Sequence, residues 1–147
     1  MNPIRKLVRS SVAAMAAAAM VVAPMASQAG VGYITLPDLA GTWIATLGGF
    51  TGCGQSAMHV VISMNNAGSG TATITGHGQC GDGVTPGQTF KVLTLNSNGT
   101  GTAGLSCGAG CGWSLRIQVS PDRQTMNLVD VDPANPGNFL VGTAIHF

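Results

Sequence analysis

The sequence is poor in charge and contains no glutamate, which limits the chemistry it can support. Only 7% of its 147 residues are charged, and beyond residue 29 the basic side chains are Lys91, Arg116 and Arg123. Three scattered positive charges cannot follow a phosphate backbone, so we expect no nucleic-acid partner. A glycosidase-type pair of acids would have to come from five aspartates alone. The composition therefore favours a protein without enzymatic activity and without a cofactor.

The sequence also has no hydrophobic run long enough to span a bilayer, which takes about 20 apolar residues. The apolar run at residues 12–23 follows a basic start between Arg5 and Arg9 and precedes Pro24 and small residues ending at Ala29. This layout predicts a cleaved secretory signal over residues 1–29, with an alanine content typical of bacteria. Residues 30–147 then form one exported domain, secreted or periplasmic, that is long enough to bury a core.

No stretch keeps helical periodicity over three turns, and all 22 glycines lie beyond residue 29. Three segments instead repeat a strand, a tight turn and a second strand: VVISMNNAGSGTATI, KVLTLNSNGTGTAGL and LRIQVSPDRQTMNLV. Adding strands around residues 41–47 and 139–147 gives eight. The pattern predicts an all-β fold, a small eight-stranded up-and-down antiparallel barrel, with a β-sandwich as the alternative.

The alternation of apolar and polar residues also predicts which side chains fill the barrel. The expected inward positions are Trp43, Ala45, Leu47, Met58, Val60, Ile62, Met64, Leu93, Leu95, Trp113, Leu115, Ile117, Val119, Met126, Leu128, Val141 and Ile145. On this interpretation, the threonines at 71, 73 and 75 and the histidines His59 and His146 face outward.

In an up-and-down barrel, alternate connections lie at the same end. The tight turns and the termini then share one end, and the longer loops predicted at residues 48–54, 78–87, 106–112 and 132–137 share the other. All four cysteines lie in or beside the first three of these loops. The sequence thus predicts one plain end and one end rich in loops and cysteines.

The even number of cysteines in an exported chain indicates two disulfides. Their positions favour Cys53–Cys80 across a hairpin and Cys107–Cys111 around a flexible glycine-rich segment. Cys80–Cys107 with Cys53–Cys111 is the alternative. We predict no metal site, because the spacing lacks the C-x₂-C pairs of zinc motifs.

The segment LAGTWIATLGG, with Gly41-Thr42-Trp43, resembles the first strand of calycin barrels of the lipocalin and avidin type. The resemblance reaches residue identity only over residues 39–48 and otherwise concerns topology. It implies that Trp43 plugs the closed end of the barrel, stacked by Arg123. Biotin binding is not implied, because avidin-like pockets have several tryptophans and this chain has only Trp43 and Trp113.

Three further motifs offer alternatives. His77 with Asp82 could serve a secreted hydrolase, although no nucleophile with recognisable surroundings accompanies them. Residues 130–138 are rich in Asp, Asn, Pro and Gly, which suits a turn better than a calcium loop. The terminal residues Phe139, Val141, Ile145 and Phe147 resemble the last strand of a small outer-membrane β-barrel, but aromatic girdles are missing.

Taken together, these patterns predict an exported, non-enzymatic binding or interaction protein that uses the disulfide-bearing loop end of the barrel. The expected contact residues are Phe50, His77, Asp82 and Trp113. The partner is an unidentified small molecule or protein. We expect it to bind at the mouth of the barrel, because ligands of small barrels enter there. The sequence leaves the oligomeric state open.

Overall fold

The computed structural model describes residues 32–132 and 137–147; the predicted secretory signal lies outside the described residues. A 3₁₀ helix at Leu36–Leu39 precedes eight strands. They are β1 Gly41–Thr51, β2 Gly54–Met64, β3 Ser69–Gly78, β4 Gly81–Leu95, β5 Thr100–Ser106, β6 Gly112–Val119, β7 Thr125–Asp130 and β8 Phe139–His146.

Each strand pairs antiparallel with its neighbours in sequence, and β1 also pairs with β8, which closes the sheet into a barrel. The predicted fold class, an all-β eight-stranded up-and-down antiparallel barrel, is confirmed. At the level of topology the fold also agrees with the calycin resemblance. We call the end that holds the 3₁₀ helix and the β2–β3, β4–β5 and β6–β7 turns the base, and the opposite end the mouth.

The barrel interior is filled by apolar side chains. The inward positions predicted on β1, β2, β6 and β7 are all confirmed as core positions, with Trp113 packed against the core but only partly buried. Trp43 and Phe90 are the largest fully buried side chains. Burial of this apolar surface supplies the main driving force for folding.

On β4 the predicted inward face is wrong at Leu93, which is 61% exposed, whereas Phe90 and Val92 are buried. The register between β4 and β5 shifts between Val92 and Thr94. Such a bulge inserts one residue and moves the side chains that follow to the other face. Leu95 packs against the core, as predicted. Simple alternation from Leu95 also predicts an inward Leu93, but the bulge lies between Val92 and Thr94 and places Leu93 on the outer face.

On β8 the prediction is also reversed: Val141 and Ile145 are about half exposed, while Leu140 and Ala144 are fully buried. The register with β1 opposes Gly142 to Leu47, and a Cβ at Gly142 would collide first with the Thr46 carbonyl oxygen and then with the Leu47 side chain. Because the large side chains of β1 already fill this space, β8 places Gly142 and Ala144 inward beside them and turns Val141 and Ile145 outward.

The same alternation along β8 places the His146 side chain on the inner side of the base. The prediction that His146 faces outward is therefore wrong. Its ring stacks on Trp43 with centroids 4.4 Å apart and planes 1° apart. The Trp43 indole donates a hydrogen bond to the Leu39 carbonyl at 2.8 Å. The His146 nitrogens lie 3.1 Å from the Ala40 carbonyl oxygen and 3.2 Å from that of Arg123.

Trp43 therefore does plug the base, but the ring stacked on it belongs to His146. The Arg123 side chain instead pairs with Asp38, with Nε 3.1 Å from Oδ1. The Thr35 hydroxyl and backbone N–H both donate to Asp38, at 2.7 and 2.8 Å. These hydrogen bonds, followed by the Arg123 charge, hold the pKa of Asp38 below its ordinary value.

A second base carboxylate is stabilised in its charged form in the same way. Asp122 accepts hydrogen bonds from the Ser120 hydroxyl and the Gln124 backbone N–H, and these lower its pKa. Both aspartates thus favour the folded state when they are ionised.

We expect His146→Ala to lower the free energy of unfolding by about 2 kcal/mol, because it removes a stacked ring and its hydrogen bonds. Urea denaturation measures this change. His59→Ala is the matched control, since His59 is an exposed strand histidine, and should change stability by less than about 0.5 kcal/mol. Equal effects of the two substitutions would contradict the role of His146 as part of the base plug.

We expect the stability that Asp38 and Asp122 contribute to be complete above the ordinary aspartate pKa. It is then lost as the pH falls through their lowered folded-state values. Urea denaturation across the acid range should show a shallower decline for Asp38→Asn than for the wild type. Thr35→Val, which removes one donor to Asp38, should act in the same direction. An unchanged pH slope in both variants would refute this.

Candidate functional site

In the described residues, the mouth is built from three tight connections, which join β1 to β2, β3 to β4 and β5 to β6. Two of the predicted long loops, at residues 48–54 and 78–87, are mostly strand, because β1 continues to Thr51 and β4 already begins at Gly81. Only Gly52-Cys53 and Gln79-Cys80 remain as turns. The strands therefore extend the barrel wall to the mouth, where loops were expected.

Two disulfides join the chain at this end. Cys53 pairs with Cys80, with Cα atoms 5.3 Å apart, and Cys107 pairs with Cys111, with Cα atoms 5.1 Å apart. This is the pairing that the cysteine positions favoured, and it is confirmed. The first disulfide ties the β1–β2 turn to the β3–β4 turn, and the second closes the β5–β6 turn on itself.

A cavity of about 500 Å³ opens between the two disulfides, and all four cysteines line it. Its apolar side chains are Met58, Ile74 and Trp113, and its other polar side chains include Thr51, Ser56, Thr85 and Asn138. The volume lies within the range of small-molecule sites, which combine a mostly apolar lining with a few polar groups.

The cavity exists because glycines occupy the inward positions of β3 and β4 near the mouth. Gly76 pairs with Gly83, and Gly78 pairs with Gly81. A Cβ added at Gly81 or Gly83 would meet no atom within 4 Å. The wall of the barrel thus continues to the mouth without side chains that could fill its interior.

The four residues predicted to contact a ligand fall in different places. Trp113 and His77 line the cavity. The His77 side chain is 78% exposed, however, and its Nδ1 contacts the Asp82 carboxylate across the β3–β4 hairpin. Asp82 lines only a shallow outer groove beside this hairpin. Phe50 faces outward and stacks on Phe139, with centroids 6.2 Å apart.

Asp130, the last residue of β7, is a functional candidate that the sequence does not place among the expected contact residues. Asp130 is 8% exposed and is the buried charged residue of the described part of the chain. Alternation from Met126 and Leu128 predicts an inward position for Asp130, whereas the turn-rich composition of residues 130–138 predicts a loop. Residues 133–136 of that loop lie outside the described residues.

A serine motif also escaped the sequence reasoning. Residues 104–108, GLSCG, match the G-x-S-x-G spacing of hydrolase nucleophiles, which sit on a turn between a strand and a helix. Here Ser106 ends β5 and leads into the Cys107–Cys111 turn. Its hydroxyl accepts from the Thr89 backbone N–H at 2.7 Å and donates to the Gln88 side chain at 3.2 Å. The motif therefore lacks both the helix and a histidine partner.

No group of three or more His, Cys, Asp or Glu side chains within residues 32–132 and 137–147 is placed to hold a metal ion. Over the same two ranges, no helix has the length and apolar character needed to cross a membrane.

No protein-family model, curated protein or solved structure matches this chain. Its function is therefore argued from the mouth cavity and the residues around it.

Proposed function

We propose that this chain is an exported, non-enzymatic binding protein that holds a small, largely apolar molecule in the mouth of its barrel. The observation that carries the proposal is the cavity of about 500 Å³ between the two disulfides, with Trp113, Met58 and Ile74 among its lining. Pockets of this size enclose most of a small ligand's surface.

The construction of the mouth supports this proposal. A closed sheet surrounds the cavity, and the Cys53–Cys80 disulfide holds two of its turns together. A pre-formed site loses less conformational entropy on binding than a flexible one. Export into an oxidising compartment, secreted or periplasmic, agrees with two disulfides and the absence of free cysteines in the described residues.

The hydrolase alternative has less support. His77 and Asp82 form their pair on the outer side of a hairpin, where both side chains are mostly exposed. The hydroxyl of Ser106, the serine of the GLSCG segment, is hydrogen-bonded to β4 instead of to a histidine. A nucleophile, a base and an orienting group within hydrogen-bond reach of one another would be needed for such chemistry.

The outer-membrane alternative is favoured by one observation, the exposed large apolar side chains. They include Phe139, Val141 and Ile145 on β8, and Phe50, Val61, Val84, Leu93 and Val129 on other strands. Membrane barrels, however, have an apolar outer band around a polar interior. This barrel has an apolar interior, and the outer faces of β3 and β6 carry Thr71, Arg116 and Gln118. This distribution supports a barrel surrounded by water.

We also propose a distant relationship to calycin barrels. It is supported by the up-and-down order of eight strands and by Trp43, which closes the base from a Gly-Thr-Trp strand.

We expect the purified protein to bind N-phenyl-1-naphthylamine, a neutral apolar probe whose fluorescence rises in apolar surroundings. Trp113→Ala should raise the Kd at least about tenfold, because it removes the largest side chain of the cavity wall. Titration of probe fluorescence measures the effect.

The matched control is Leu93→Ala, which truncates an apolar side chain that is 61% exposed on the outer face of β4. It should leave the Kd unchanged. If Leu93→Ala weakened binding as much as Trp113→Ala, the probe would be binding outside the cavity and the proposal would fail.

We expect fractionation of bacterial cells that express the full chain to place it in the periplasm or the medium. An immunoblot of the fractions checks this. Recovery only from detergent-solubilised outer membrane would favour the membrane alternative, because an apolar outer band would then be required.

A further inference from the structure

One carboxylate oxygen inside the barrel has no hydrogen-bond partner. Asp130 is 8% exposed, and its Oδ1 accepts the backbone N–H of Asp132 at 3.0 Å. Its Oδ2 is enclosed and makes no hydrogen bond. Since an unpaired carboxylate oxygen is costly to remove from water, this site calls for a partner that the described residues do not supply.

By strand register, Asp130 lies one inward step below the residues that line the mouth cavity and is not itself one of them. Asp130 pairs with Leu115 on β6, and Trp113, which lines the cavity, is the next inward residue towards the mouth. Successive inward residues of a strand are about 7 Å apart, so Asp130 lies one such step below the cavity wall. On β8, Asn138 lines the cavity immediately before the strand that pairs with β7.

Among the described residues, no Lys or Arg side chain faces the Asp130 carboxylate. Lys91 and Arg116 are exposed on the outer surface, and Arg123 pairs with Asp38 at the base. The surrounding interior is apolar, with Leu115, Leu128 and Leu140 buried. In such surroundings a single negative group interacts strongly with an opposite charge brought by a ligand.

We propose that Asp130 makes the mouth cavity selective for apolar ligands that carry a cationic amine. The ammonium group would lie at the floor of the cavity beside Trp113 and Asn138, where the Asp130 carboxylate one inward step below attracts it, and the apolar part of the ligand would contact Met58 and Ile74. This inference rests on the proposed function, since it names the ligand class of the same cavity.

The test compares two probes of the same shape, 1-naphthylmethylamine, which is cationic at pH 7, and 1-ethylnaphthalene, which is neutral. Both compete with N-phenyl-1-naphthylamine for the purified wild-type protein, and their Kd values are measured by displacement. We expect the amine to bind at least about tenfold more tightly, as attraction between opposite charges in weakly hydrated surroundings would give.

In Asp130→Asn this preference should disappear while the affinity for the neutral probe stays the same. Asp130→Leu serves as a second variant, because replacing a buried charge by an apolar side chain of similar size is often tolerated. The control is Asp82→Asn, which removes one negative charge from the outside of the mouth and should preserve the preference.

The outcomes separate the two proposals. Failure of N-phenyl-1-naphthylamine itself to bind would overturn the proposed function and this inference with it. If that probe binds but the amine does not exceed its ethyl analogue, only the role of Asp130 is overturned. A preference that persists in Asp130→Asn and Asp130→Leu, or that is lost in Asp82→Asn, would also overturn it.

Discussion

The pairing of β1 with β8 is the constraint on which the rest of this structure depends. It turns an eight-stranded meander into a closed barrel and removes both sheet edges. The register of this pair opposes Trp43 to His146, and the same two rings stack at the base. The pairing of Trp43 with His146 therefore serves both to close the sheet and to close the base of the barrel.

Closure also decides how much room each strand has for side chains. Near the base, Trp43 and Phe90 fill the interior together with the His146 ring, and β8 otherwise contributes the small residues Gly142 and Ala144. Near the mouth, paired glycines of β3 and β4 add nothing to the interior. The cavity thus exists because large side chains fill the interior near the base, whereas glycines leave it open near the mouth. The two disulfides lie around this open part.

Much of the fold could be predicted because it follows from patterns among residues that are close in the sequence. Period-two alternation, Asn-Gly turns and repeated hairpin units are properties of neighbouring residues, and they predicted the strand number, the order and the disulfide pairs. The errors at Leu93 and on β8 have a different origin. A bulge in the β4–β5 register and the volume of Leu47 opposite Gly142 are facts about partner strands, and alternation within one strand does not contain them.

The candidate site follows the same division. The sequence by itself predicted an export signal and determined the repeated hairpins, the low charge and the clustering of four cysteines at one end, because each is a property of residues close in the chain. Only the tertiary structure decided that Phe50 faces outward, that His77 meets Asp82 outside the barrel and that Asp130 lies buried beneath Trp113. Burial and partners depend on register across strands, which exists only once the barrel has closed.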